Sequence, residues 1–188
     1  MVSKPPHGGK LVRRIVAPPK TRERILSEQE EYPRVQIDHG RVIDLENIAH
    51  GVYSPLKGFL TRDDFESVLH DMRLSDDTPP WTIPIVLDVE KPDFEEGGDA
   101  VLLYHGDLPI ARMHVEEIYT YDKREFAVKV FKTDDPAHPG VARVMEMGGD
   151  YLIGGEIELL NELPNPSPST LSGPLRREFS SRSSAGRR

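Results

Sequence analysis

The chain of 188 residues contains no cysteine, which excludes disulfides and any thiolate-ligated metal. It has no apolar run near the roughly 20 residues that a membrane-crossing helix requires. The first residues, Met1 to Pro6, lack the apolar stretch of a secretory signal. A cytoplasmic location is the default expectation. Aromatic residues are sparse at 7%, and no strand pattern interleaves them with basic residues, which speaks against a stacking platform for RNA. The hydrophobic fraction of 37%, with 30% charged residues, suits one soluble globular domain with tails.

The net charge is −8, and its distribution is uneven. From Asn165 onward Arg176, Arg177, Arg182, Arg187 and Arg188 stand against Glu178, a local +4, so the preceding body carries −12. Such a body repels a phosphate backbone and counts against nucleic acid as a partner.

The stretch from Asp44 to Leu74 organises the rest. At its centre Gly51-Val52-Tyr53-Ser54-Pro55-Leu56-Lys57-Gly58-Phe59-Leu60 reads as a turn between two helices. Gly51 can end the first helix, Asp44 to Ala49, because glycine takes the left-handed conformation at little cost; Asp44 is its expected N-cap. Pro55 disfavours the α region at Ser54. Thr61 opens the second helix, with Asp64 three residues on as in a capping box. Phe65, Val68, Leu69 and Met72 share one face of it. Tyr53, Leu56, Phe59 and Leu60 are apolar where a loop is normally polar, so the turn is expected to pack against a core. Gly58 is expected to need either positive φ or close backbone approach.

Leu11 to Val16 reads as a first strand or extended arm. Thr21 to Glu31 reads as a helix anchored by Ile25 and Leu26 and stopped by Pro33. Arg34 to Asp38 alternates as a half-buried strand. Ile83, Ile85, Val86, Leu87 and Val89 suggest a well-buried strand after the turn at Ser75 to Pro80. Ala100 to Tyr104 and Leu108 to Tyr121 form a hairpin around His105-Gly106-Asp107. Lys123 to Lys132 and Pro139 to Met147 read as helices. Tyr151 to Leu160 closes the domain as a strand, bent or bulged at Gly154-Gly155. Strands joined by hairpins with short helices at their edges argue for an α+β domain around a curved mixed sheet.

Seven histidines invite a metal site, but no pair has a spacing that aims two rings at one ion from one element. His39, His50, His70, His105 and His114 read as surface or structural. His138 stands apart in the polar loop Asp134-Asp135-Pro136-Ala137-His138-Pro139-Gly140, which opens onto a helix N-terminus. There Asp135, His138 and Gly140 are candidates for an interdomain or anion contact. The plainer reading is a helix cap held by Asp135, and the two aspartates oppose an anion. No metal site is expected.

The central block resembles the Gly-x-[Tyr/Phe]-Ser-Pro-Leu-x-Gly-Phe hallmark of the ATP sulfurylases, carried here by Gly51, Tyr53, Ser54, Pro55, Leu56, Gly58 and Phe59. Four further blocks agree in order: Pro6 to Arg13, Trp81 to Val89, Asp134 to Val141, and Gly154 to Glu158. The resemblance covers Pro5 to about Pro166. It implies the family's N-terminal PUA-like pseudobarrel over residues 1–164. It also implies a role in making adenylyl sulfate and pyrophosphate from ATP and sulfate. Those two molecules are substrates of the complete enzyme; no cofactor is expected in this chain. Charge develops on phosphoryl oxygens in that reaction, so fixed cationic groups must surround them. The family supplies these from a catalytic domain through Gln-x-Arg-Asn-Pro and His-x-x-His strings, and neither occurs here. The chain is therefore expected to be inactive alone, with that catalytic domain as its partner when supplied separately. The other readings are a free-standing PUA-like module for RNA or protein, and a regulatory remnant that docks on a full-length subunit.

Residues 165–188 read as a disordered basic tail. An out-of-frame product is the competing reading: codons exist for Leu171 to Arg182 that give LRPAETRVLFE in another frame, and that string resembles the opening of the family's catalytic domain.

Overall fold

The computed structural model describes residues 7–75, 80–98 and 100–163. The basic tail, and with it the disorder and out-of-frame readings, lies outside the described residues. Seven strands form one mixed sheet in the order β1-β4-β5-β7-β2, with β3 and β6 also paired to β7. They are β1 (Arg34–Gln36), β2 (Gly58–Phe59), β3 (Leu87–Val89), β4 (Val101–His105), β5 (Leu108–Met113), β6 (Glu117–Thr120) and β7 (Tyr151–Leu159). Of these strands, only β1 and β4 pair in parallel among the described residues. The five short helices are α1 (Pro19–Ser27), α2 (His39–His50), α3 (Arg62–Asp71), α4 (Lys123–Phe131) and α5 (Pro139–Met145). The result is a curved mixed half-barrel with peripheral helices: the pattern predicts the curved mixed sheet, and the resemblance implies its barrel-like closure.

Strand β4 shows why the sheet is covered on both faces. Val101 and Leu103 point to the core that α2 closes with Val42, Leu45, Ile48 and Ala49. Leu102 and Tyr104, one residue out of phase, point to a smaller cluster closed by Ile25 of α1. Helices α3, α4 and α5 enclose a third cluster around Phe65, Tyr119, Phe126 and Leu152. In it the Phe65 and Phe126 rings meet edge to face at 5.4 Å, an arrangement aromatic pairs favour.

Strand β7 is the hub. Tyr151 to Ile153 pair with β3, Tyr151 to Gly154 with β6, Gly155 and Glu156 with β2, and Ile157 to Leu159 with β5. The glycine pair does not interrupt the strand; it is where the partners change. Gly155 has φ +147°, and a Cβ there would collide with the His114 carbonyl oxygen. Gly58 has no positive φ but faces Gly155 so closely that a Cβ would overlap the Gly155 carbonyl. Close approach, rather than positive φ, is why this position takes glycine.

Several local expectations are corrected. Helix α2 starts at His39, not Asp44, because the Asp38 carboxylate caps it by accepting from Arg41 N at 2.8 Å; Asp44 lies inside the helix. Gly51 does end it, with φ +83°. Thr61 sits at the N-cap of α3 without a side-chain cap bond. Asp64 accepts instead from the amide and hydroxyl of Ser75, at 2.8 and 2.6 Å. Met72 is not on the buried face; it is the exposed left-handed C-cap of α3, φ 54°. The strand at Ile83 shrinks to Leu87–Val89, and Ile83 itself is exposed. Pro80 and Pro84 lack the N–H groups a ladder needs. The long run Leu108 to Tyr121 breaks into β5 and β6 at His114 to Glu116. There His114 N and Glu116 N donate to Glu156 O and Gly154 O, both at 2.9 Å, bridging over Gly155.

Candidate functional site

The central turn is held from inside. Ser54, 1% exposed, donates its hydroxyl to Gly51 O at 2.7 Å and accepts from Val12 N at 3.0 Å. It thus ties the N-terminal arm to the turn. The Ser54–Pro55 peptide is cis. Leu56 and Phe59 are buried, and Tyr53 is half-buried with its ring edge-on to Trp81 at 6.1 Å. Tyr53, Leu56, Phe59 and Leu60 therefore belong to the core, as their apolar character in a turn implies, whereas Val52 is exposed.

Two surface recesses flank the turn. One, of about 260 Å³, is lined by Pro55 to Thr61 with Asp64, Ser75, Glu116, Gly155 and Glu156. At its edge Glu156 holds Arg14 at 2.7 Å and Lys57 at 3.0 Å. Partial burial alone would raise the Glu156 carboxyl, but these two cations outweigh it and hold the group below its ordinary value.

The other recess, about 310 Å³, lies between Tyr53, the Ile83 to Val86 segment and helices α4 and α5. Here the structure brings together two residues singled out far apart in the sequence, Tyr53 and Gly140. Gly140 is there because Phe131 leaves no room for a side chain: a Cβ would lie 2.5 Å from the Phe131 ring. The floor carries Arg41, whose Nη1 and Nη2 reach Asp44 at 3.4 Å and Asp88 at 3.1 Å. Its Nε is buried without a hydrogen-bond partner. Burial pushes the Asp44 carboxyl up, against the opposing pull of Arg41 and of Arg143. Asp88 also accepts from Gly149 N at 3.1 Å. Tyr121 donates its hydroxyl to Gly149 O at 3.0 Å; burial first, then the Asp88 charge, pushes its phenol up. Sequence reasoning missed this cluster. The Arg41-x-x-Asp44 spacing on a helix was the available signal, since i and i+3 share a face.

His138 and Asp135 do not line either recess. His138 is itself the N-cap of α5, its Nδ1 accepting from Gly140 N at 3.1 Å, with its ring 5.0 Å from Phe131. Asp135 accepts from Ala137 N at 2.9 Å, tightening the loop before the helix. The cap the sequence suggested is present, but His138 provides it and Asp135 does not. Asp134 is held low by its hydrogen bond and ion pair with Arg124. The other histidines are dispersed: His50 meets Glu162 at 2.8 Å, and His105 meets Ile37 O at 3.1 Å. His39 and His105, both read as surface or structural, are ring neighbours at 6.1 Å. Among the described residues no group of three His, Asp or Glu could hold a metal.

Chemically, the described surface offers packed turns, balanced ion pairs and apolar-walled recesses. Arg41 and Arg143 in the larger recess face the carboxylates Asp44 and Asp88 nearby, so the charge there is balanced within the domain and is not free to stabilise a transition state.

A family model of the PUA-like domain matches residues 4–162. The chain belongs to this family. Its similar relatives among curated proteins are called sulfate adenylyltransferases. That of Pyrococcus abyssi is 81% identical over 166 residues, 88% of this chain and 42% of the relative. That of Thermococcus onnurineus is 78% identical over the same shares, and that of Hyperthermus butylicus 53% over 169 residues. The chain thus spans less than half the length of these relatives. A similar solved structure is a hexameric APS kinase from Thiobacillus denitrificans. It has a TM-score of 0.63 and 26% identity, over 94% of this chain and 31% of that one.

Proposed function

We propose that this PUA-like domain is the supporting part of a sulfate adenylyltransferase, the enzyme that joins ATP and sulfate into adenylyl sulfate with release of pyrophosphate. The observation that carries the reading is the 81% identity over 166 residues to a relative of that name. Identity at this level over a whole domain keeps its core and its surface alike. The described residues support a non-catalytic part. Several of their arginines are paired with carboxylates, as Arg14 is with Glu156 and Arg41 with Asp44 and Asp88. Arg112 is paired with Glu158 in the same way. Adenylyl transfer to sulfate, with pyrophosphate leaving, needs cations free to meet developing charge. The partner in this reading is the catalytic portion that the chain does not span, with ATP and sulfate bound there, in the cytoplasm.

The test is pyrophosphate release from ATP with sulfate or molybdate, using the chain alone. The expected result is no turnover above a buffer control. Sustained turnover in protein free of host enzyme overturns the reading.

A further inference from the structure

Four of the large exposed apolar side chains gather on one face, where the described chain ends. The arm from Leu11 to Val16 alternates: Arg14 N donates to Ala49 O at 2.9 Å, and Val16 N donates to Leu159 O at 3.1 Å. Ile15 bridges Leu159 in parallel. The period of two turns Leu11 and Ile15 outward, 49% and 41% exposed. Leu11 lies over Gly51, its Cδ1 2.7 Å from where a Cβ would stand, and the next residue, Val52, is 68% exposed. Ile43, 46% exposed, lies on α2 three, four and seven residues before Glu46, Asn47 and His50, on one helix face. That face is also where the chain leaves. Leu163 N donates to Glu46 at 3.2 Å, and His50 meets Glu162 at 2.8 Å. Lys10 and Arg13, also exposed, rim the face.

An edge that turns two branched aliphatics outward, beside a third on the adjoining turn and a fourth on the helix, is costly to leave in water. The curated relatives continue for more than half their length beyond the part this chain matches. The polypeptide that follows residue 163 in them must start from this face. We infer that Leu11, Ile15, Ile43 and Val52 form the docking surface for that following part of a sulfate adenylyltransferase chain. Contact begins there at the exit itself and is apolar at its centre with a polar rim of mixed charge, Lys10 and Arg13 with Glu46 and Glu162, the usual anatomy of a stable interface. The inference rests on the proposed function and gives it a location.

The test places residues 1–163 of this chain in the intact Pyrococcus abyssi sulfate adenylyltransferase, replacing the stretch they match. Hydroxyl-radical oxidation of the four side chains is then compared with that in this chain alone, with Ile83, Met72 and Met145 as exposed references. The four should be oxidised several-fold more slowly in the joined protein, and the references should not change as a group. Adenylyl sulfate formation is read on the same sample and reports the proposed function separately. An active joined protein with the four side chains oxidised as before overturns the docking face and leaves the function standing. Protection without activity does the reverse, and neither protection nor activity removes both. A second arm keeps the remaining portion of the relative separate and adds it to this chain. Val52→Asp with Ile43→Asp should weaken association about tenfold or more, since each buries an unpaired charge, while Ile83→Asp should not. If the chain alone forms a dimer that already hides the four, a second copy is the occupant and the inference falls.

Discussion

The junction of Gly58 with Gly155 and the loop from Asp134 to Gly140 are both glycine-marked in the sequence, yet they differ in what the glycine does. At the junction two backbones meet with no space between them, and a Cβ on Gly58 would enter a carbonyl. At the loop Gly140 avoids a side chain, the Phe131 ring, on a partly exposed helix start. Backbone cannot retreat without opening the β2–β7 pairing; a ring can swing. Rigid neighbours make a glycine obligatory, whereas soft neighbours make it only preferred.

Three substitutions grade that difference. Gly58→Val should be the most damaging, leaving no soluble folded protein or lowering stability by upwards of about 4 kcal/mol. Circular dichroism with a denaturant titration reads it. A midpoint near that of the parent would mean β2 can separate from β7 at little cost. Phe59→Ala keeps the same backbone but empties a side chain only 3% exposed, at an expected cost of about 3–5 kcal/mol. Gly140→Ala should cost about 1–2 kcal/mol, because Phe131 must give way without losing its contacts altogether. If Gly140→Ala equals Gly58→Val in effect, the distinction between soft and rigid neighbours fails.

The same contrast explains what the sequence allowed to be read. Element type was legible wherever burial follows a simple period: β4 and its hairpin, the Phe65–Val68–Leu69 face of α3, and Phe126 with Ala127 on α4. The seat of the central turn in the core was legible because Leu56 and Phe59 are out of place in a solvent loop. The hub role of β7 was not legible. A strand's alternation says which face a residue occupies and nothing about which of four strands lies beside it. Helix α2 was begun too late because Gly40 and Arg41 in its first turn break the apolar period, while its cap at Asp38 was overlooked. The Arg41–Asp44–Asp88 cluster joins residues 47 positions apart, a separation that no local pattern encodes. Tyr53 and Gly140 were chosen for unrelated reasons, and only the packing of α5 against the turn brings them to one recess.

The smallest expected effect lies beside the junction and shows how much of its stability is electrostatic. Glu156→Gln leaves the backbone pairing with Gly58 intact and removes only the charge that meets Arg14 and Lys57. The Glu156 side chain is 35% exposed, so solvent screens both pairs and the loss at pH 7 should be about 0.5–1 kcal/mol. The carboxyl is held below its ordinary value of 4.5. A group depressed on folding contributes stability that is fully present above its unfolded value and lost as pH falls through the folded one. The difference between parent and Glu156→Gln should therefore be constant down to about pH 5 and close below it. Salt should narrow it at pH 7. Denaturant midpoints at a series of pH values supply the check. A difference that persists at pH 2 would place the effect in packing at the β2–β7 junction, which would then be as unforgiving of side-chain changes as it is of a Cβ on Gly58.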